Sequence, residues 1–372
     1  MDTCTFSTTL ANIRSKYGVD HVSQSKCVKQ QIIERHPRTI RCDDLMDKPL
    51  SIHLHHDKHF PLRYIASMYE VSPAFISERF RDLGIEVKNF YASTPQLLLE
   101  QWLSQNDIVF ERNNRTVISP QELDIFIPSA NLAIEINGIY WHSEAQGKTR
   151  SYHLQKTTLC AKQNVQLLHF WDTEILSKFE IVTSMISHRL KLKQQRIHAR
   201  QCTIESISYA EANAFENQFH LSGGVKGEFH IALKHGTTIV AVASYGSSRF
   251  ERNTIELLRF CTRANHHVVG ALSKLIAYIR KQSNGACITS YCDRRIGAGS
   301  GYIAAGFKLA GVTPPNYHYL SPRMDVFSRH KFQKHKLKHM LEFVDMNLSE
   351  WENMKLNGYT RIWDCGNYKY VI

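Results

Sequence analysis

Two acids stand in this chain where hydrophobes are expected. The runs Glu122-Leu123-Asp124-Ile125-Phe126-Ile127-Pro128 and Leu132-Ala133-Ile134-Glu135-Ile136-Asn137 read as apolar strands, each with one carboxylate near its middle. A hairpin turning over Pro128 to Asn131 sets Asp124 opposite Glu135 and Leu123 opposite Ile136. It also gathers Asp124, Glu135 and Asn137 on one face, with Leu123, Ile125, Ile134 and Ile136 on the other. Opposed Cβ atoms are only about 5 Å apart, and like charges at that spacing destabilise a sheet. A divalent cation between the carboxylates would offset the repulsion, and Mg²⁺ (or Mn²⁺) needs only one or two protein carboxylates besides water and a substrate phosphate. The plainer alternative is two acids on a solvated face.

Metal-assisted cleavage of a phosphodiester also needs an activated water and a cation or acid near the leaving oxygen. His142, just past the second strand in Trp141-His142-Ser143-Glu144, and Lys156 are the side chains placed to supply them. A lone histidine after a tryptophan is otherwise an ordinary core residue. Asn137 carries no charge, so the cationic role falls to Lys156 if it reaches the same site.

These residues need a frame. Thr94 and Pro95 open a helix over Gln96–Gln105 that carries Glu100 among Leu98, Leu99, Trp102 and Leu103. A strand at 108–112, the acidic hairpin, a helix from about Tyr152 to Gln163 and a strand at 166–171 follow, giving the order α-β-β-β-α-β. A helix at 178–193 is expected to lead into a basic linker. From Thr203 onward strands and helices alternate: a hairpin at 231–233 and 239–245, a strand at 256–261, a helix at 270–281 and a strand at 286–291. A second α/β domain is expected there.

Upstream, Leu62 to Leu83 has the pattern of a helix-turn-helix. Ser72 is a good N-cap, Pro73 suits the first helical position, Ile76, Phe80 and Leu83 form an apolar stripe, and Gly84 ends the helix. The remaining face offers Ser77, Arg79 and Arg81 to base edges or phosphates, although small helical pairs that merely pack are common.

The formal charge is +12, an excess that favours a polyanionic partner through counterion release. Basic residues concentrate at Arg189–Arg200 and again at Arg329–Lys338, where Lys331, Lys334 and Lys336 are candidate DNA contacts; either run could instead be a solvated face. Nine scattered cysteines fit a reducing cytoplasm, that of a host cell if the chain is phage-encoded. Neither a membrane span nor a signal peptide is evident.

Asp124 with Glu135-x-Asn137 on an α-β-β-β-α-β frame resembles the PD-(D/E)XK nuclease superfamily. Within it the chain looks most like Vsr-type nickases and phage homing endonucleases. The matching residues are Glu122-Leu123-Asp124-x-x-x-Pro128, Gly138-x-x-Trp141-His142, Tyr152-His153-x-x-Lys156 and Phe170-Trp171-Asp172. The resemblance implies that Asp124 binds the metal with Glu135, that His142 acts in catalysis, and that Glu100 is the acid of the preceding helix. Glu144, His153 and Lys156 would fill the remaining positions, with double-stranded DNA as the partner. Lys16-Tyr17-Gly18-Val19…Ser23-Gln24-Ser25 resembles a short element of phage endonucleases.

The C-terminal part resembles a GNAT-type acyltransferase fold through Glu256-Leu257-Leu258-Arg259-Phe260, Gly270-Ala271-Leu272-Ser273-Lys274-Leu275 and Tyr302-x-x-x-Gly306-Phe307. This implies a helix N-terminus shaped for the coenzyme A pyrophosphate, with Leu272 in place of a small residue. A DNA-contacting reuse of that fold is the alternative.

The expected protein is therefore α/β (α+β) and lies on DNA. Residues 1–50 are poorly defined, 51–92 form the helix-turn-helix region, 93–195 the nuclease domain and 200–372 the GNAT-like domain. The expected activity is that of a Mg²⁺-dependent homing endonuclease. The alternatives are a DNA-modifying acyltransferase with a vestigial nuclease domain, a Vsr-type mismatch nickase, or a non-catalytic DNA-binding regulator.

Overall fold

The computed structural model describes residues 47–57, 62, 65, 66, 69, 71–88 and 94–372. The chain divides into two units, Met1–Thr94 and Pro95–Ile372. In the first, a short helix α1 (Lys48–Ile52) precedes α2 (Pro73–Asp82). Ser72 is extended and its hydroxyl accepts from Phe75 N, Pro73 opens the helix, and Gly84 (φ +63°) follows its end. Ile76 and Phe80 are fully buried. Ser77 and Arg81 are exposed, while Arg79 lies over the Phe75 ring. The Lys16–Ser25 element, and Met68 and Glu70 of the first expected helix, lie outside the described residues.

The second unit starts with the expected α-β-β-β-α-β order. Helix α3 (Thr94–Gln105) and strands β1 (Glu111–Asn114), β2 (Leu123–Ile127) and β3 (Leu132–Asn137) precede helix α4 (Tyr152–Lys162) and strand β4 (Gln166–Trp171). The sheet order is β1-β2-β3-β4, with β3 and β4 parallel. The acidic hairpin has the expected register: Ile125 faces Ile134 and Ile127 faces Leu132. Its turn is a 3₁₀ segment closed by Asn131 in the left-handed region (φ 46°), which asparagine tolerates well. Strand β1 starts three residues later than expected, because its pairing with β2 begins only at Glu111 opposite Phe126.

The expected helix at 178–193 is α6 (Phe179–Arg189), shorter at its C-terminal end, where Lys191 takes φ 55°, and it is preceded by a separate short helix, α5 (Asp172–Ser177). The expected basic linker is a strand, β5 (Gln195–His198), paired in parallel with β10 (His266–Val269). Only Ile197 of its four residues is apolar, so no strand period shows in the sequence.

Next come β6 (Thr203–Ser206), α7 (Tyr209–Phe219), β7 (Phe229–His235), β8 (Thr238–Ser247), β9 (Thr254–Thr262), β10, α8 (Ala271–Gln282), β11 (Cys287–Asp293), α9 (Ser300–Ala304), β12 (Lys308–Val312) and β16 (Asn367–Val371). They build a mixed seven-stranded sheet in the order β12-β16-β11-β9-β8-β7-β6. Its core gathers Leu233, Val240, Ala241, Leu275, Ile279 and Ile288. Between β12 and β16 lies an insertion that the sequence did not announce: β13 (Tyr317–Leu320), β14 (Val326–Ser328), α10 (Glu350–Leu356) and β15 (Thr360–Trp363). It has its own core of Tyr319, Phe332, Leu337 and Met354. The protein is thus a mixed α/β chain, and among the described residues no helix is long and apolar enough to cross a membrane.

Candidate functional site

Asp124 and Glu135 do meet across the hairpin, but each carboxylate is occupied by protein donors. Asp124 Oδ2 accepts from Ile136 N at 2.7 Å, and Glu135 Oε1 accepts from Asp124 N at 3.2 Å. Lys156, from α4, donates to Glu135 Oε2 at 2.5 Å. The charge that offsets the carboxylate repulsion is therefore an ammonium built into the fold. Burial, then the Asp124 charge, pushes Glu135 up to about 8, with Lys156 pulling the other way. Burial also raises Asp124.

Behind them lies a chain of histidines. His153 Nδ1 is 2.7 Å from the carbonyl oxygen of Trp363, which can only accept, so Nδ1 carries the proton. Neutral His153 then accepts at Nε2 from His142 Nδ1, 3.1 Å away. The fully buried His169 lies 3.3 Å from Asn137 Nδ2 and 2.8 Å from Thr157 Oγ1. Burial, with neighbouring cations, pulls His142 down to about 3 and His153 to about 4. Imidazoles held neutral and paired in this way are core groups more than proton shuttles near neutral pH.

The remaining expected site residues are spread apart. Glu100 binds Arg112 at 2.8 Å and Gln96 at 3.0 Å. Glu144 forms a two-pronged pair with Arg361 of the insertion, at 2.5 and 2.7 Å. The insertion roofs this region: Ile362 bridges to Ser143, Thr360 accepts from Ala145 N, and Cys365 lies 3.5 Å from Thr157. Trp363 supplies the carbonyl that fixes His153. Arg295, only 3 % exposed, is a further member that sequence reasoning left open. It donates to Asp293 at 3.0 Å and to both oxygens of Glu174 at 3.1 Å, lies 4.7 Å from the Trp171 ring centroid, and gives its carbonyl to His169 N. The signal was Asp293-Arg294-Arg295; the partner Glu174 lies too far away in sequence to pair by inspection.

The seven-stranded sheet holds a site of the opposite character. Parallel strands β9 and β11 pair only from Thr254 with Cys287 to Leu257 with Ser290, and then part. Residues 258–262 of β9 thus keep a free edge on that side. Ser290 Oγ donates to the Leu257 carbonyl oxygen at 3.0 Å and lies 3.1 Å from the Tyr302 hydroxyl. Burial pushes Tyr302 up to about 12, so it stays protonated. Arg259, beyond the point of parting, donates through Nε to Gly223 O at 2.9 Å. Helix α8 connects the two strands, so its N-terminus lies at the parted end, headed by Gly270 (φ 79°), which has no side chain to cap it. A cavity of about 650 Å³ opens there, lined by His198, Ala199, Arg200, Val269, Gly270, Ser273 and Lys274. Lys274 braces its wall through the Ala199 and Cys202 carbonyls. Leu272, which stands in place of a small residue, packs against the sheet core.

No family model and no curated protein matches the chain. Several solved structures are similar to part of it, at 10–15 % identity. An acetyltransferase from Bacillus subtilis in complex with CoA has a TM-score of 0.27, covering 46 % of this chain and 97 % of its own, at 11 % identity. A GNAT family acetyltransferase from Elizabethkingia anophelis with acetyl-CoA bound has a TM-score of 0.26 over 46 % and 97 %, at 10 % identity. An N-acetyltransferase from Staphylococcus aureus has a TM-score of 0.25 over 30 % and 86 %, at 14 % identity. The expectation of a Mg²⁺-dependent DNA endonuclease with Mg²⁺ or Mn²⁺ as cofactor is corrected accordingly. Lys156 pairs with Glu135, where the cation was expected, and no cluster of three or more metal-ligating His, Cys, Asp or Glu occurs among the described residues.

Proposed function

We propose that this chain transfers an acyl group from a coenzyme A thioester to an amine, using the opening in the seven-stranded sheet. The observation that carries this reading is the parting of β9 and β11 after Leu257 and Ser290, with the uncapped N-terminus of α8 at the open end. A helix N-terminus binds phosphate through its free amides and dipole, and Arg200, exposed on the cavity wall, adds a positive charge. The free edge of β9 offers backbone groups to the amide-bearing arm of the coenzyme. Tyr302, kept protonated by burial, is the residue assigned to donate a hydrogen bond to the departing thiolate, giving up its contact with Ser290 as charge develops when the thioester breaks. The acid–lysine–histidine cluster is then a structural part of the central sheet.

Calorimetric titration with coenzyme A tests this reading. The intact protein is expected to bind it, and Ser273→Glu, which sets a carboxylate at the helix N-terminus, to weaken binding at least about tenfold. Absence of binding at millimolar coenzyme A would sink the proposal.

A further inference from the structure

We propose that the insertion between β12 and β16 is a docking module for the phosphate backbone of double-stranded nucleic acid. Two 3₁₀ segments, Arg329–Phe332 and Lys334–His339, run along its surface. Phe332 and Leu337 anchor them in the module's core, which turns their neighbours outward. Lys331, Lys334, Lys336 and Lys338 are all exposed, together with Arg329 and three histidines, and no acid occurs from Val326 to Leu341. Arg329 pairs loosely with Glu350 at 3.6 Å. Among the described residues no ion pair holds any of the four lysines; Lys331 lies over the Phe327 ring at 4.0 Å and Lys336 reaches the His330 carbonyl at 3.4 Å. The charge of Arg249, from the β8–β9 turn, reaches His330, so the patch extends onto the main sheet beside the exposed Phe250.

Charge density decides the partner. At about 2 Å of rise per residue the run reaches at most about 20 Å, which matches roughly six phosphates along one strand. The apolar residues of the strip itself, Phe332 and Leu337, point inward and are not available to insert between lipids. The module's exposed Phe343 and Met346 flank the exposed acids Glu342 and Asp345, which an anionic bilayer would repel. The inference rests on surface charge and does not depend on the acyl-transfer reading.

The test is the salt dependence of duplex DNA binding by the full chain, read by fluorescence anisotropy. Replacing Lys331, Lys334, Lys336 and Lys338 by Gln is expected to flatten the slope of log K against log salt by about 3 to 4, near 0.9 per cation. A control with the same charge change, Lys162, Lys191, Lys281 and Lys308 to Gln, is expected to change it by less than about 1. Lys336→Gln alone, expected to flatten the slope by about 1, keeps the test valid if the quadruple variant does not fold. Equal effects from strip and control, or an unchanged slope in the strip variants, would overturn the proposal. So would loss of binding to phosphatidylserine vesicles with duplex binding intact.

Discussion

Two parallel strand pairs in this protein reach opposite outcomes. Strands β3 and β4 stay paired from Leu132 with Gln166 to Asn137 with Trp171, whereas β9 and β11 part after Ser290. Where the pair stays closed, most polar side chains are paired within the protein: Lys156 meets Glu135, His142 meets His153, and the insertion closes the region through Arg361 and Trp363, with Asn137 Oδ1 and Ser143 Oγ left unpartnered. Where the pair opens, the edge of β9 is left without a partner strand, and the α8 N-terminus faces a cavity. Satisfied buried polar groups specify a fold, and unsatisfied groups at an opening are available to a ligand. Substitutions in the closed region should therefore cost stability, and those in the open region should cost activity.

The largest expected effect is at Arg295. Arg295→Ala strands Glu174 and Asp293 beside Trp171 and should cost about 3–5 kcal/mol in denaturant unfolding; a loss below about 1 kcal/mol would mean that the network is not closed to water. Lys156→Ala should follow at about 3 kcal/mol, because Glu135 keeps its burial without a partner. Pairing Lys156→Met with Glu135→Gln should recover most of that loss, and failure to recover would show that packing of the lysine stem matters more than its charge.

Stability should also peak between about pH 6 and 7. Glu135 is raised from 4.5 to about 8, so the stability tied to its proton is present below pH 4.5 and lost as pH rises through 8. His142 and His153 are lowered from 6.5 to about 3 and about 4, so their contribution is present above pH 6.5 and lost as pH falls towards those values. Unfolding free energies across pH should show both limbs, and Glu135→Gln should remove the alkaline one. A profile unchanged by that substitution would contradict the assignment.

Glu144→Gln, at a partly exposed pair, should cost only about 1 kcal/mol. Smallest in stability, Tyr302→Phe should shift unfolding by less than about 1 kcal/mol while slowing acyl transfer about 100-fold with coenzyme A affinity retained. A large stability loss with unchanged turnover would reverse the contrast between the two regions.

Much of the fold could be read along the chain, because hydrophobic period and capping are local. The hairpin register followed from the alternation around Asp124 and Glu135, and α2 from Ser72, Pro73 and Gly84. The insertion could not be read this way. Its strands β13–β15 are three or four residues long, and β15 reaches β13 only across α10. Strand β5 was hidden because its partner β10 lies about seventy residues onward. At the candidate site, the types and spacing of Asp124, Glu135 and Lys156 were legible, and their satisfaction by one another was not.

By itself, the sequence determined that two carboxylates would oppose each other on a hairpin, that Lys156 was a candidate cation to answer them, and that basic charge would gather at 329–338. These follow from strand period, helix period and composition. Only the tertiary structure decided that Lys156 reaches Glu135, that Trp363 and Arg361 close the histidine chain, and that β9 and β11 part in front of α8. The physical reason is that desolvation and pairing are properties of neighbours in space, and those neighbours lie up to 217 residues apart along the chain.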